Sequence, residues 1–438
     1  YTVTVTDNQN PVALCKNITV TLDALGNATI VPADVDNGST DNCAIATRTL
    51  SQSTFTSADM PSKVVTLTVT DVNGNSASCN STVTVIGTLP PTAYYSYQTG
   101  YWDVASTWTT DPGGTTGPGT TVPGSNDKVV ILTGRTVYLQ SNVISTNLDV
   151  TINSGGVLDQ AGYQFTQPLT ALKGGGIHKL ASENYPSAIT NTFVTSDGGT
   201  TEYNHSGNMS ATQATYYNLI VRSAGTVTQV NNLTINGNVD VKAGKFQIND
   251  ASNTRRILVI NGDLTVDAGA QIGVGTGVTN TVTNPATAPV GEAAGFVNYY
   301  ETQSHRVQIF GNFTNNGTVK FTNLDYPVYN AFPSTTPGTT TGFATVYFSG
   351  ASDKVVTLNG PTTFYNMVVQ KGTDQTFKLT LYSAAYNYFR LFGANTARSE
   401  TPGANPFVKK ALWIRSGTLI LQGLSGIPSL SEGNLAAV

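Results

Sequence analysis

Hydrolysis of a glycan needs two carboxylates about 5–10 Å apart, and this chain of 438 residues holds 26 Asp and Glu in all. The nearest candidates are Asp240, Asp263 and Asp267, which fall in neighbouring copies of an internal repeat. Asp240 and Asp263 alternate with apolar residues, so both are expected in solvent rather than paired as acid and base. A calcium-assisted lyase would need several Asp and an Arg base, but Arg255-Arg256 has no acidic cluster near it in sequence. His178, His205 and His305 stand at no metal-ligand spacing and in no nucleophile elbow. Each is expected in a loop or at the surface. Gly273, Gly275 and Gly277 are spaced like a phosphate loop, yet no helix follows them. The expectation is therefore a protein that is not an enzyme. A polysaccharide lyase or hydrolase is the alternative.

Binding chemistry has more material. Asp7, Asp36, Asp41 and Asp71 lie in Asn-rich turns, where carboxylate and carbonyl oxygens suit calcium. The same residues cap turns with their own side chains. Tyr299, Tyr300, Tyr326, Tyr329, Tyr386, Tyr388 and Phe389 gather in three stretches that interrupt the repeat. Aromatic faces suit sugar rings and apolar surfaces; the competing role is to cover the flank of the fold.

What must position these residues is a β-rich scaffold. Only 11% of the chain is charged, against about 25% on average, so Thr, Ser, Asn and Gly must build the polar surface. With Val and Ile they favour strands and turns. The net charge is −4 and no basic cluster exceeds two residues, so nucleic acid is not an expected partner. No apolar run is long enough to insert in a membrane. The chain opens in mid-strand, Tyr1–Thr6, and we read both ends as cuts inside a longer protein.

Residues 11–87 alternate in short strands (Ile18–Leu22, Val65–Val69, Thr82–Val85) between turns such as Asp36-Asn-Gly38 and Asn73-Gly-Asn75. This is the pattern of a β-sandwich. Residues 1–10 echo its last strand and are expected to end a preceding copy, so tandem modules of the same parent are expected neighbours. Cys15, the Asp41-Asn42-Cys43 triplet and the run from Thr70 to Cys79 together resemble the hyalin-repeat (HYR) family of extracellular, immunoglobulin-like adhesion modules. The resemblance implies a Cys15–Cys79 disulfide. It also implies a second bridge from Cys43 to a Cys near position 57, where this chain has Ser57, so Cys43 is left unpaired.

A linker is expected over 88–100, with Pro90-Pro91 stiffening it. Trp102 and Trp108 are expected to cover the first turn of a solenoid. From about residue 130 the chain repeats. Leu233-x-Ile235-x-Gly237-x-Val239 returns 25 residues later as Leu258-x-Ile260-x-Gly262-x-Leu264, and again 49 residues on, read as two periods, at Val307-x-Ile309-x-Gly311-x-Phe313. A second echo links Thr215–Val221 with Thr363–Val369. A period near 25 with inner alternation of two predicts stacked coils, with Gly at corners that need positive φ. The fold class is thus all-β: an immunoglobulin-like β-sandwich followed by a right-handed parallel β-helix over 101–438. Loops are expected near 275–305, 322–343 and 384–410.

The opening of the second part, a Trp pair then Pro123-Gly-x-x-Asp127-x-Val-x-Ile131, resembles bacterial β-helical surface proteins. The whole arrangement resembles multi-repeat adhesins of gliding, type IX-secreting bacteria. That resemblance implies an extracellular, cell-surface filament segment that attaches to a surface or polysaccharide. A purely structural spacer is a further alternative.

Overall fold

The computed structural model describes residues 1, 7–23, 25–87, 91–249, 254–275, 305–323, 342–392 and 412–425. It divides into two compact units, Tyr1–Thr92 and Ala93–Val438.

The first unit is a small sandwich. Strands Ile18–Thr21, Ser76–Ile86, Ser62–Asp71 and Ile45–Leu50 form one sheet in that order; Asn27–Thr29 and Thr54–Thr56 pair in another. Alternation in Ser62–Asp71 sends Val65, Leu67 and Val69 inward to meet Phe55, Val83 and Val85, all essentially unexposed. The Cys15–Cys79 disulfide, with Cα atoms 5.8 Å apart, ties the segment before the first strand to Ser76–Ile86. Of the expected strand of a preceding module, residues 2–6 lie outside the described set.

The second unit is a parallel β-helix. Its first strand is Ala93–Ser96, which pairs with Lys128–Ile131. The expected linker over 88–100 is therefore too long, because the solenoid begins inside it. Coils run over up to three faces. On the first face Ala93–Ser96, Lys128–Ile131, Asp149–Ile152, Leu169–Lys173 and Ala188–Asn191 stack. The same place in later coils is taken by Thr215–Tyr216, Leu233–Ile235, Ile257–Ile260, His305–Ile309, Ala344–Gly350, Asn366–Lys371 and Leu412–Ser416. The second face runs through Thr136–Tyr138 and Val157–Asp159 to Leu264–Val266, Phe313–Asn315, Lys354–Leu358 and beyond. The third face starts at Gly207–Asn208 and includes Gln271–Val274, Thr318–Lys320 and Phe389–Leu391.

The 25-residue echo is the pairing register itself: Leu233 stands beside Leu258 and Ile235 beside Ile260. Ile260 in turn meets Ile309, Phe348, Val369 and Ile414 along one inner column. Val239, Leu264, Phe313, Val356, Leu381 and Leu421 form a second. Each fully buried side chain of these columns contributes roughly 1.5–3 kcal/mol; Ile414 and Leu421 at their ends are partly buried. Trp102 and Trp108 are buried in the first coil edge to face, centroids 5.2 Å apart, with Trp102 also against Phe165.

Four expectations need correction. The 49-residue offset is one lengthened coil rather than two periods, because Leu258 pairs directly with Val307. The Thr215–Val221 and Thr363–Val369 echo does not mark one place in the coil. Asn218 opens a second-face strand, whereas Asn366 opens a first-face strand. Both copies encode a strand, an Asn corner and a strand, which any corner can use. Third, early coils are shorter than 25 residues: Lys128 pairs with Asp149, and Val157 with Ile177. Fourth, positive φ is found at Gly244 and Gly269 but not at Gly237, Gly262 or Gly311. At these last the need is close approach. A Cβ on Gly262 would sit 2.5 Å from the Gly237 carbonyl oxygen, and one on Gly311 2.1 Å from that of Gly262.

The residue after each of these glycines builds a ladder. Asn238 N–H donates to Asn218 Oδ1 (3.0 Å), Asp263 N–H to Asn238 Oδ1 (2.9 Å), Asn312 N–H to Asp263 Oδ1 (2.7 Å) and Val355 N–H to Asn312 Oδ1 (3.0 Å). Each corner side chain thus satisfies a backbone donor of the next coil.

Ile260→Ala should destabilise the chain by about 2–5 kcal/mol, read as a lower denaturation midpoint; an unchanged midpoint would place Ile260 outside the core.

Candidate functional site

Asp7, Asp36, Asp41 and Asp71 do not gather in one cluster. Asp71 ends a strand and closes a turn: its Oδ1 accepts the N–H groups of Asn73 and Asn75 (both 2.8 Å), and its Oδ2 accepts Asn75 Nδ2 (2.7 Å). Burial raises this carboxyl's pKa, but the Asn75 and Asn73 hydrogen bonds outweigh it and hold the group below the usual carboxylate range. Asp36 stands apart, bound by Ser39 Oγ (2.6 Å) and Arg48 Nε (2.8 Å). Asp7 and Asp41 do come together, with the Cys43 thiol. One ligand atom from each lies within 4.8 Å of the others. Asp71 instead has both oxygens in hydrogen bonds to its own turn.

Cys43 is exposed and outside any disulfide. Its thiol donates a hydrogen bond to the Asp7 carboxylate, and desolvation and the charges of Asp7, Asp41 and Asp71 add to the effect, so its pKa is raised. The thiolate, which is the reactive form, is disfavoured.

In the second unit, Tyr299, Tyr300, Tyr326 and Tyr329 lie outside the described residues. Tyr386 is 79% exposed and presents its ring to solvent. Phe389 is a correction to the ligand-binding expectation. It opens strand Phe389–Leu391, points inward in register with Thr362, and sets its ring 6.0 Å from Phe364. Tyr388 packs partly buried against the same core. Both serve the covering role.

The carboxylates raised as a catalytic pair each have a partner. Asp240 and Asp267 both face the Lys242 ammonium at 3.8 Å, and Asp263 is a rung of the corner ladder. Two histidines overturn the surface expectation. His178 and His305 lie fully buried on strands. His178 alternates inward with Leu180, which its Ile-His-Lys-Leu setting could have signalled, and its Nε2 meets Gln160 Oε1 at 2.7 Å. His305 Nδ1 accepts the Arg256 N–H at 2.9 Å. His205 is half-buried, its Nε2 3.1 Å from the Asn208 carbonyl.

Among the described residues no helix is long and apolar enough to cross a membrane. No protein-family model, no curated protein and no solved structure matches the chain.

Burial lowers the pKa of His178 to about 3. The unfolded chain takes up a proton below pH about 6.5 while the folded ring stays neutral, so stability present above that pH is lost as pH falls toward 3. The loss attributable to this ring is at most about 1.4 kcal/mol per pH unit. His178→Gln should flatten the decline of denaturation midpoint over this range relative to wild type; parallel declines would contradict the assignment.

Alkylation supplies a second check. Unfolded, unreduced protein should titrate one thiol per chain. In the folded protein, iodoacetamide should modify Cys43 slowly at neutral pH, and Asp7→Asn should speed the reaction. An unchanged rate would remove Asp7 as the cause.

Proposed function

We propose that the chain is a segment of an extracellular surface filament that attaches to polysaccharide or another surface, as the adhesins it resembles do. The observation that carries this reading is the employment of the solenoid's carboxylates. Asp197 accepts the Gly174 N–H (2.9 Å), Asp263 the Asn312 N–H, and Asp353 the Lys378 N–H (2.8 Å), each on another coil. Asp127 and Asp159 hold local turns through Gly124 N–H (2.7 Å) and Ala161 N–H (2.9 Å). These acids fix geometry, which suits a rigid spacer that presents side chains at regular intervals. The disulfide supports an oxidising, extracellular setting. Tandem modules of one parent would add avidity to weak contacts, and the exposed Tyr386 ring offers one such contact.

Beads coated with the purified chain should hold to polysaccharide-coated surfaces under flow that removes uncoated beads, and no reducing or unsaturated sugar ends should be released. Retention no better than uncoated beads would end the attachment reading. Release of sugar ends would replace it with the carbohydrate-active enzyme.

A further inference from the structure

Early in the solenoid a groove of about 260 Å³ is lined by Gln164, Phe165, Glu183, Asn184, Tyr185 and Thr212. These residues follow the second-face strands Val157–Asp159, Ile177–Leu180 and Thr200–Tyr203, which pair in succession, so the groove crosses three neighbouring coils. At about 4.8 Å per coil, it runs about 10 Å along the solenoid. The backbone beneath it is pinned. Gln160 Nε2 donates to the carbonyls of Tyr163 (2.8 Å) and Asn184 (3.2 Å), and the Ser210 N–H donates to the Tyr203 hydroxyl (3.2 Å). Asn231 Nδ2 donates to the carbonyls of Ala211 (3.3 Å) and Gln213 (3.0 Å). The two rings are fixed as well, and both are buried. Phe165 packs edge to face on Trp102, centroids 5.4 Å apart, and Tyr185 on His178 (5.4 Å) and Tyr216 (5.9 Å).

The polar side chains over this pinned backbone are not used by the fold. Among the described residues, Gln164, Glu183 and Asn184 form hydrogen bonds through their backbones alone, which leaves one carboxylate and two amides for a ligand. The hydroxyls of Ser210 and Thr212 meet at 3.2 Å, and the pair keeps one O–H proton and spare lone pairs. No Lys or Arg lines the groove, so an anion there would face Glu183 with nothing to neutralise it. Sugar hydroxyls match this set, because each can donate to a carboxylate or amide oxygen and accept from an amide N–H. The apolar C–H edge of a sugar ring suits the ring edges of Phe165 and Tyr185.

We propose that this groove binds a neutral glycan lying along the solenoid axis, its hydroxyls donating to Glu183 and exchanging hydrogen bonds with Gln164 and Asn184. The inference rests on the attachment reading and names its ligand class and its place. Binding of cellohexaose, maltohexaose, mannohexaose, hyaluronate and chitosan oligosaccharide to the full chain should be measured at low and high salt. At least one of the three neutral sugars should bind with an affinity that salt leaves unchanged, and hyaluronate should not bind. The Glu183→Ala, Asn184→Ala double variant should lose at least about tenfold in affinity at unchanged denaturation midpoint, since both side chains are exposed. Glu183→Gln, which keeps an acceptor for a hydroxyl, should retain binding. Equal binding by the Ala double variant would overturn the proposal, as would no binding of any neutral sugar or hyaluronate binding as tightly. Preference for chitosan, weakened by salt and lost in Glu183→Gln, would overturn it in favour of an ammonium ligand. If beads carrying the Ala double variant hold to polysaccharide as firmly as wild type, the groove falls and attachment stands; failure of the wild type to hold any surface would remove both.

Discussion

A parallel coil leaves its backbone N–H and C=O groups pointing along the solenoid axis, and only the coils above and below can satisfy them. Everything else in the second unit answers to that demand. Glycines at 237, 262 and 311 let consecutive backbones close to bonding distance at one corner, with the Gly262 N–H on the Gly237 carbonyl at 2.9 Å. Asn and Asp beside them give the next coil an acceptor where the ladder turns. Inner aliphatics then stack because register is already fixed, and hydrophobic burial reinforces the same alignment.

This constraint explains where polar residues go. Inside the stack, Asn315 is buried yet fully used: its Nδ2 reaches Thr362 Oγ1 at 2.8 Å and its Oδ1 accepts the Gly317 N–H. Tyr203 and Tyr216 bond hydroxyl to hydroxyl at 2.8 Å in the core. Unmatched polar groups there would cost far more than they do in water. Outside the stack, the same register turns single side chains into evenly spaced rows.

The periodic part of this design was legible in the sequence. The Leu233 and Leu258 motifs align in the chain as they pair in space, because inner positions repeat whenever coil length repeats. The Cys15–Cys79 bridge, implied by family resemblance, is present. Shorter early coils were missed because strands such as Lys128–Ile131 and Asp149–Ile152 lie 21 residues apart in register and do not echo the 25-residue motif. His178 and Phe389 were misplaced because a polar or loop-like setting hid an inward strand position.

The central claim is that coils stack in one continuous register across the lengthened ones. Asp240, Thr265, Thr314, Thr357 and Tyr382 follow one outward column in four steps. Spin labels at Asp240→Cys and Tyr382→Cys, in a Cys43→Ser background, measure its length directly by dipolar spectroscopy. Continuous stacking gives a narrow distribution centred at about 20 Å, four coils at about 4.8 Å each. A broad distribution, or one centred several coils away from that value, would contradict it.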